Sequence, residues 1–180
     1  EQAELLLESK MKQQDSAGGI IECIVKGLPA GVGEPVFEKL DANLAKAVMS
    51  IGAVKGVEIG DGFAAAKAFG SENNDSFALG EDGGVTKRTN HAGGLLGGIS
   101  DGSDIILRAA VKPTPSIAKA QKTVNCQGEE TEVCIRGRHD PVIVPRAVVV
   151  VEAMAAITVL DMLFSSMSSS LEGLKRFFVK

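Results

Sequence analysis

Apolar residues along this chain change their spacing several times, and each change marks an element. Val36, Phe37, Leu40, Leu44, Ala47, Val48 and Ile51 recur three and four apart, the spacing of one face of an α-helix. Pro35 stands just ahead of them, where a helix readily starts, so a helix is predicted over 35–51. Residues 20–26 and 53–59 are rich in Ile and Val and read as strands, as do 104–111 and 131–136. Residues 1–14 read as a partly amphipathic helix stopped by the breaker Asp15-Ser16-Ala17-Gly18-Gly19. Short helices are expected over 63–69 and 169–180. The segment 70–90 is crowded with Gly, Asn, Asp and Ser and reads as an irregular, mobile flap or arm.

Residues 147–164 are almost wholly apolar and near the minimum length for crossing a bilayer. Glu152 and Asp161 lie within that run, among many small Ala and Val. They favour a helix over 146–166, buried on most of its circumference in a protein core, over one facing lipid. Helices interleaved with non-adjacent strands predict a single α+β domain over 1–180: mostly antiparallel sheet packed with helices, one long buried helix near the C-terminus, and no internal repeat.

Composition narrows the function classes. With 44% hydrophobic and 23% charged residues the chain has globular proportions. A net charge of −4 argues against nucleic acid as a partner, because phosphate-backbone binding needs a basic surface. Tyr and Trp are absent, which removes the usual stacking platforms. Cys23, Cys126 and Cys134 are odd in number and lack metal-ligand spacing, the pattern of reduced, buried thiols in a cytosolic protein, with no metal site expected. The opening Glu1-Gln2-Ala3-Glu4, without an initiator Met or a cationic apolar leader, is expected of a chain that begins in mid-protein or was trimmed.

Three segments combine backbone constraint with chemistry. Asn90-His91-Ala92-Gly93-Gly94-Leu95-Leu96-Gly97-Gly98-Ile99-Ser100 contains four glycines, which either let amides cradle an anion or build tight turns needing positive φ. Lys112-Pro113-Thr114-Pro115-Ser116-Ile117 fixes its backbone with two prolines and displays an ammonium and two hydroxyls, either as a phosphate or ribityl grip or as a rigid turn. Arg136-Gly137-Arg138-His139-Asp140-Pro141 packs two guanidinium forks, an imidazole and a carboxylate into six residues. Arg binds phosphate and carboxylate bidentately, and His139 and Asp140 can move protons. The alternative for this segment is a surface turn closed by an Arg–Asp ion pair.

Read together and in order, five strings resemble the chorismate synthase family: Gly33-Glu34-Pro35-Val36-Phe37, Ala53-Val54-Lys55-Gly56-Val57-Glu58-Ile59-Gly60-Asp61-Gly62-Phe63, Asn90-His91-Ala92-Gly93-Gly94, Lys112-Pro113-Thr114-Pro115-Ser116-Ile117 and Gly137-Arg138-His139-Asp140-Pro141. The resemblance covers nearly the whole chain and corresponds to the carboxy-terminal half of the family's polypeptide, half of a β-α-β sandwich. It implies conversion of 5-enolpyruvylshikimate 3-phosphate to chorismate by 1,4-elimination of phosphate, with reduced FMN as cofactor and no net redox change. It implies flavin contacts at Gly52, Ala53, Gly97, Lys112, Pro113, Thr114, Pro115, Ser116 and Arg138, and catalytic roles for Asp140 and His139. Gly52 stands where relatives are expected to carry Asn. The family further implies a cytoplasmic homotetramer with no membrane or nucleic-acid partner. Its amino-terminal half carries two further histidines and several substrate-binding arginines that are absent from this sequence. The isolated chain is therefore expected to lack turnover, and the alternative is a non-catalytic α+β fragment that at most binds FMN weakly.

Overall fold

The computed structural model describes residues 2–80, 83–137, 140–167 and 169–178, without the side chain of Phe177. A helix, α1 (Gln2–Lys12), leads to strand β1 (Gly19–Val25), helix α2 (Leu40–Met49) and strand β2 (Val54–Ile59). A 3₁₀ turn (Gly62–Lys67), a one-turn helix α3 (Gly70–Asn73), and the hairpins β3 (Phe77–Leu79) with β4 (Val85–Lys87) and β5 (Leu95–Leu96) with β6 (Ile99–Ser100) follow. Strand β7 (Ile105–Val111), the hairpin β8 (Gln121–Val124) with β9 (Glu130–Val133), and helices α4 (Val144–Met167) and α5 (Leu171–Phe178) complete the described chain.

The central sheet has the order β1-β7-β2, antiparallel throughout. Ile21 and Val57 both pair with Ala109, and Cys23 and Ile59 with Leu107. These positions share one face of the sheet, because side chains alternate along a strand. Against that face lie Leu40, Leu44 and Val48 of α2 and Val151, Ala155, Val159 and Met162 of α4, forming one core with Ile21, Ile105, Leu107 and Ala109. The α+β class and the long C-terminal helix agree with the sequence reading.

Four expectations change. The helix predicted over 35–51 begins at Leu40, because Glu34 N–H donates to Glu38 O at 2.9 Å and closes a turn that leaves Val36 69% and Phe37 90% exposed. Segment 70–90 is not structureless: it holds α3 and the β3–β4 hairpin, with residues 81 and 82 outside the description. The strand read over 131–136 is β9, and its partner is β8 in a surface hairpin, not the central sheet.

The largest correction concerns the long helix. By length and composition α4 could cross a membrane, with a mean hydropathy of 2.2, yet only the stripe Val151, Ala155, Val159 and Met162 is buried. Val149, Ile157 and Phe164 are each 62% exposed. Apolar composition reports that a helix suits burial but not how many neighbours it has; here α2 and β1 cover one side, and no described residue forms a layer over the other.

Candidate functional site

At one end of the sheet, Gly19 and Val54 flank Val111 on its two sides. The segments that leave these strands are therefore neighbours. Lys112 N–H donates to Ala53 O at 2.9 Å, joining two expected site positions directly. Ala53 has φ +72°, a left-handed conformation that costs a non-glycine residue about 1 kcal/mol or more and clusters at functional sites. A side chain at the adjoining Gly52 would meet no atom within 4 Å, so nothing steric there demands glycine.

Lys112, Pro113 and Pro115 are exposed, whereas Thr114 and Ser116 are half-buried. Thr114 O accepts from the Ser16 hydroxyl at 2.6 Å. Thr114 Oγ1 is itself buried and has no hydrogen-bond partner among the described residues, an arrangement rare enough to ask for a reason. Ala17 N–H donates to Pro141 O at 2.8 Å, bringing in the segment that carries Asp140. Met11, Ser16, Ser116, Gly137, Asp140 and Pro141 help to line a cavity of about 190 Å³. The Asp140 carboxylate accepts from Arg146 Nη1 at 2.5 Å and remains 38% exposed. Arg138 and His139 lie outside the described residues.

Electrostatics at this end depend on residues whose sequence signature is that of a helix breaker. The Ser16 backbone N–H, followed by Lys119 and Lys10, outweighs burial and holds the Asp15 carboxyl below its ordinary range. Asp15 pairs with Lys119 at 3.4 Å, which ties residue 15 to the chain just beyond Ser116. Sequence reasoning missed Asp15, Ser16 and Arg146. The available signal for the first two was a polar pair before two glycines at a strand start, but its partners are about a hundred positions away.

Gly97 does not join this group. Gly98 O accepts from Leu40 N–H at 2.7 Å, at the first turn of α2, while Ala53 follows that helix's last turn; ten residues of helix separate the two ends by about 15 Å. Gly97 and Gly98, with φ +61° and +87°, form the turn of the β5–β6 hairpin, which needs positive φ at both positions. Gly94 N–H donates to Asn90 Oδ1 at 2.7 Å, and Gly93 N–H to Asn90 O at 3.1 Å, so both amides are already used within the loop.

A second polar cluster fixes that loop and the β3–β4 hairpin. His91 Nδ1 lies 2.6 Å from Asp61 Oδ2. Asp75 accepts from His91 N–H at 2.8 Å, Ala92 N–H at 3.0 Å and the Thr89 hydroxyl at 2.8 Å. Burial alone would raise the Asp75 carboxyl, but these donors and Lys87 bring it below its ordinary range. Lys87 and Asp101 form an ion pair with both side chains almost fully buried. Elsewhere, burial and then Glu152 push the Cys23 thiol up; the expectation of buried thiols fails for Cys126 and Cys134, which are exposed in and beside the β8–β9 surface hairpin.

Comparison with known proteins gives a consistent result. The family model described as chorismate synthase matches residues 1–164. A chorismate synthase of Lachnoclostridium phytofermentans is 63% identical over 180 residues, which are 100% of this chain and 49% of the relative. One from Methanosarcina barkeri is 58% identical over 170 residues, 92% of this chain and 46% of the relative. A solved structure described as "Crystal Structure of Chorismate Synthase" superposes with a TM-score of 0.76 at 33% identity, over 98% of this chain and 46% of that one. The chain spans about half the length of the curated relatives it matches.

Proposed function

The chain belongs to the chorismate synthase family, and from that premise we propose that it forms the flavin-holding side of a site for 1,4-elimination of phosphate and a proton from 5-enolpyruvylshikimate 3-phosphate, giving chorismate. The observation that carries this reading is the meeting of Ala53, the 112–116 segment and Asp140 at one end of the sheet through the bonds of Lys112, Ser16 and Ala17.

The donor set suits FMN. The Lys112 ammonium and the Thr114 and Ser116 hydroxyls are groups that grip phosphate or ribityl oxygens, and the orphaned Thr114 Oγ1 would gain the partner it lacks. Ala53 would approach through its backbone. Gly97 and Arg138 complete the set that the family resemblance implies, although Gly97 sits at the far end of α2. When bound, reduced FMN supplies electron density transiently, with no net redox change. Asp140 keeps one carboxylate oxygen on Arg146, which leaves Oδ1 to accept and return a proton. His139 is its neighbour in sequence and a second proton carrier. The proposal extends to a cytoplasmic homotetramer, as the family resemblance implies.

A non-catalytic fragment that binds FMN weakly is the second reading. It is favoured by the half-length match and the uncovered side of α4. Catalysis by electrostatic preorganisation needs groups from several directions, so the chain alone is expected to show no turnover. FMN titration and turnover assays, with and without a family amino-terminal half supplied in trans, test both readings. Flavin binding by this chain, with turnover only on adding the other half, is the expected result; turnover by the chain alone refutes the fragment reading, and no flavin binding in either arm refutes the functional one.

A further inference from the structure

Residues 15–18 make more cross-chain bonds than a helix breaker needs. Gly18 runs flush against the end of β7: a Cβ there would lie 2.4 Å from Val111 O and 3.1 Å from Pro113 Cδ, so only glycine allows the approach. Ser16 then reaches Thr114 O, Ala17 reaches Pro141 O, and Asp15 reaches Lys119. Asp15 also accepts from Ser16 N–H at 2.9 Å, which sets the local turn and aims the Ser16 side chain. One four-residue stretch thus bonds to both walls of the cavity, the proline-fixed segment and the segment bearing Asp140.

We propose that Ser16 is a positioning residue of the flavin site: by donating to Thr114 O, with Ala17 holding Pro141, it sets the spacing between the 112–116 segment and Asp140 and the direction of the unpartnered Thr114 hydroxyl. The geometry argues for positioning over mere folding. The Ser16 bond ends on the carbonyl of the one residue in that segment whose own hydroxyl is buried and without a partner among the described residues. Pro113 and Pro115 stiffen the segment locally, but their rings cannot fix where the segment sits relative to a chain 98 positions away in sequence. A long-range bond does that, and binding groups must be held to within about 0.5 Å to work. In this role Ser16 acts through Thr114.

This inference rests on the functional reading above, and the test separates the two. FMN is titrated into the 180-residue chain by fluorescence quenching for the unsubstituted protein, Ser16→Ala, Ser16→Thr and Lys112→Ala, with thermal unfolding recorded for each. Ser16→Ala is expected to weaken FMN by about three- to tenfold, the effect of one net hydrogen bond, at temperatures where the protein remains folded. Ser16→Thr, which keeps the hydroxyl, is expected to restore affinity. Should Ser16→Ala not fold, Ser16→Cys, similar in size and a weak donor, carries the same comparison. If Lys112→Ala weakens FMN while Ser16→Ala or Ser16→Cys binds as the unsubstituted chain does, the positioning role is overturned and the functional reading stands. If Ser16→Thr fails to rescue, the hydroxyl is not what matters and the proposal falls. If FMN binds at millimolar concentration neither to the unsubstituted chain nor to its mixture with the amino-terminal half, or if Lys112→Ala changes nothing, the functional reading falls and this inference with it; where FMN binds only in the mixture, the same variants are compared there.

Discussion

Asp140 Oδ2 lies 2.5 Å from Arg146 Nη1, so the turn ahead of α4 is tied to that helix's own first turn. Arg146 is 75% exposed and Asp140 38%, and solvent screening keeps such pairs weak, at about 0–1 kcal/mol. Arg146→Gln is therefore expected to lower unfolding free energy by less than about 1 kcal/mol in urea denaturation, while lowering turnover in the assembled enzyme through a less constrained carboxylate. Unchanged turnover would reduce the pair to an ordinary surface contact.

The one-sided burial of α4 makes a second expectation. Leu44 of α2 is fully buried against the core that α4 completes, whereas Ile157 is 62% exposed. Leu44→Ala should cost about 2–5 kcal/mol, through lost burial and the cavity left behind, and Ile157→Ala in this chain should stay within about 0.5 kcal/mol. Comparable losses for both, measured by chemical denaturation, would mean that α4 is covered on both sides in solution.

Burial pattern also shows how much of this fold was legible in the sequence. Leu40, Leu44 and Val48 declared α2 because three- and four-residue spacing is the period of a helix face and not of a strand. Val36 and Phe37 shared that spacing but are held outside the helix by the Glu34–Glu38 turn, a local bond that outcompetes periodicity. Residues 147–164 announced a helix but not its neighbours, since apolar side chains fall on every face of it and composition cannot say which face is covered. In the site, Lys112 to Ser116 and Asp140 stood out through charge beside proline and through family resemblance. Ser16 did not, because a bond to Thr114 leaves no mark on the residues beside it. Asp75 was hidden likewise in a stretch read as irregular, although it anchors Thr89, His91 and Ala92.

Asp75 and Asp101 give the fold a pH dependence. For both, burial pushes the carboxyl up but is outweighed: by Ala92, His91, Thr89 and Lys87 at Asp75, and by Lys87 and Ser103 at Asp101. Their folded-state values therefore lie below the unfolded value of 3.8. A carboxyl depressed on folding adds stability that is fully present above its unfolded value and is lost as pH falls through its folded one. Urea stability is expected to decline from about pH 5 downward, and Asp75→Asn should flatten part of that decline. Protection of the His91 and Ala92 amides against hydrogen exchange, relative to their intrinsic rates at each pH, should fall over the same range. An Asp75→Asn profile parallel to that of the unsubstituted chain would remove Asp75 from the account.

The sharpest expectation concerns the division of labour between Lys112 and Asp140 in the assembled enzyme. Asn keeps the size of Asp and much of its hydrogen bonding, including an oxygen able to accept from Arg146, but it cannot take up and return a proton. If Asp140 carries a proton, Asp140→Asn should lower saturated turnover by about two to four orders of magnitude while changing flavin affinity little. Lys112 is exposed at the start of a segment stiffened by Pro113 and Pro115. Under the proposed function it would offer a point charge to phosphate or polar flavin atoms, an interaction as strong in the ground state as in the transition state, so its loss would weaken binding without slowing the chemical step. Lys112→Ala should raise the flavin dissociation constant and leave turnover at saturating reduced FMN nearly intact. Stopped-flow turnover at flavin saturation, paired with flavin titration, reads the two effects separately. Near-normal saturated turnover in Asp140→Asn would leave Asp140 as the partner of Arg146 and nothing more, and the proton would have to be carried elsewhere.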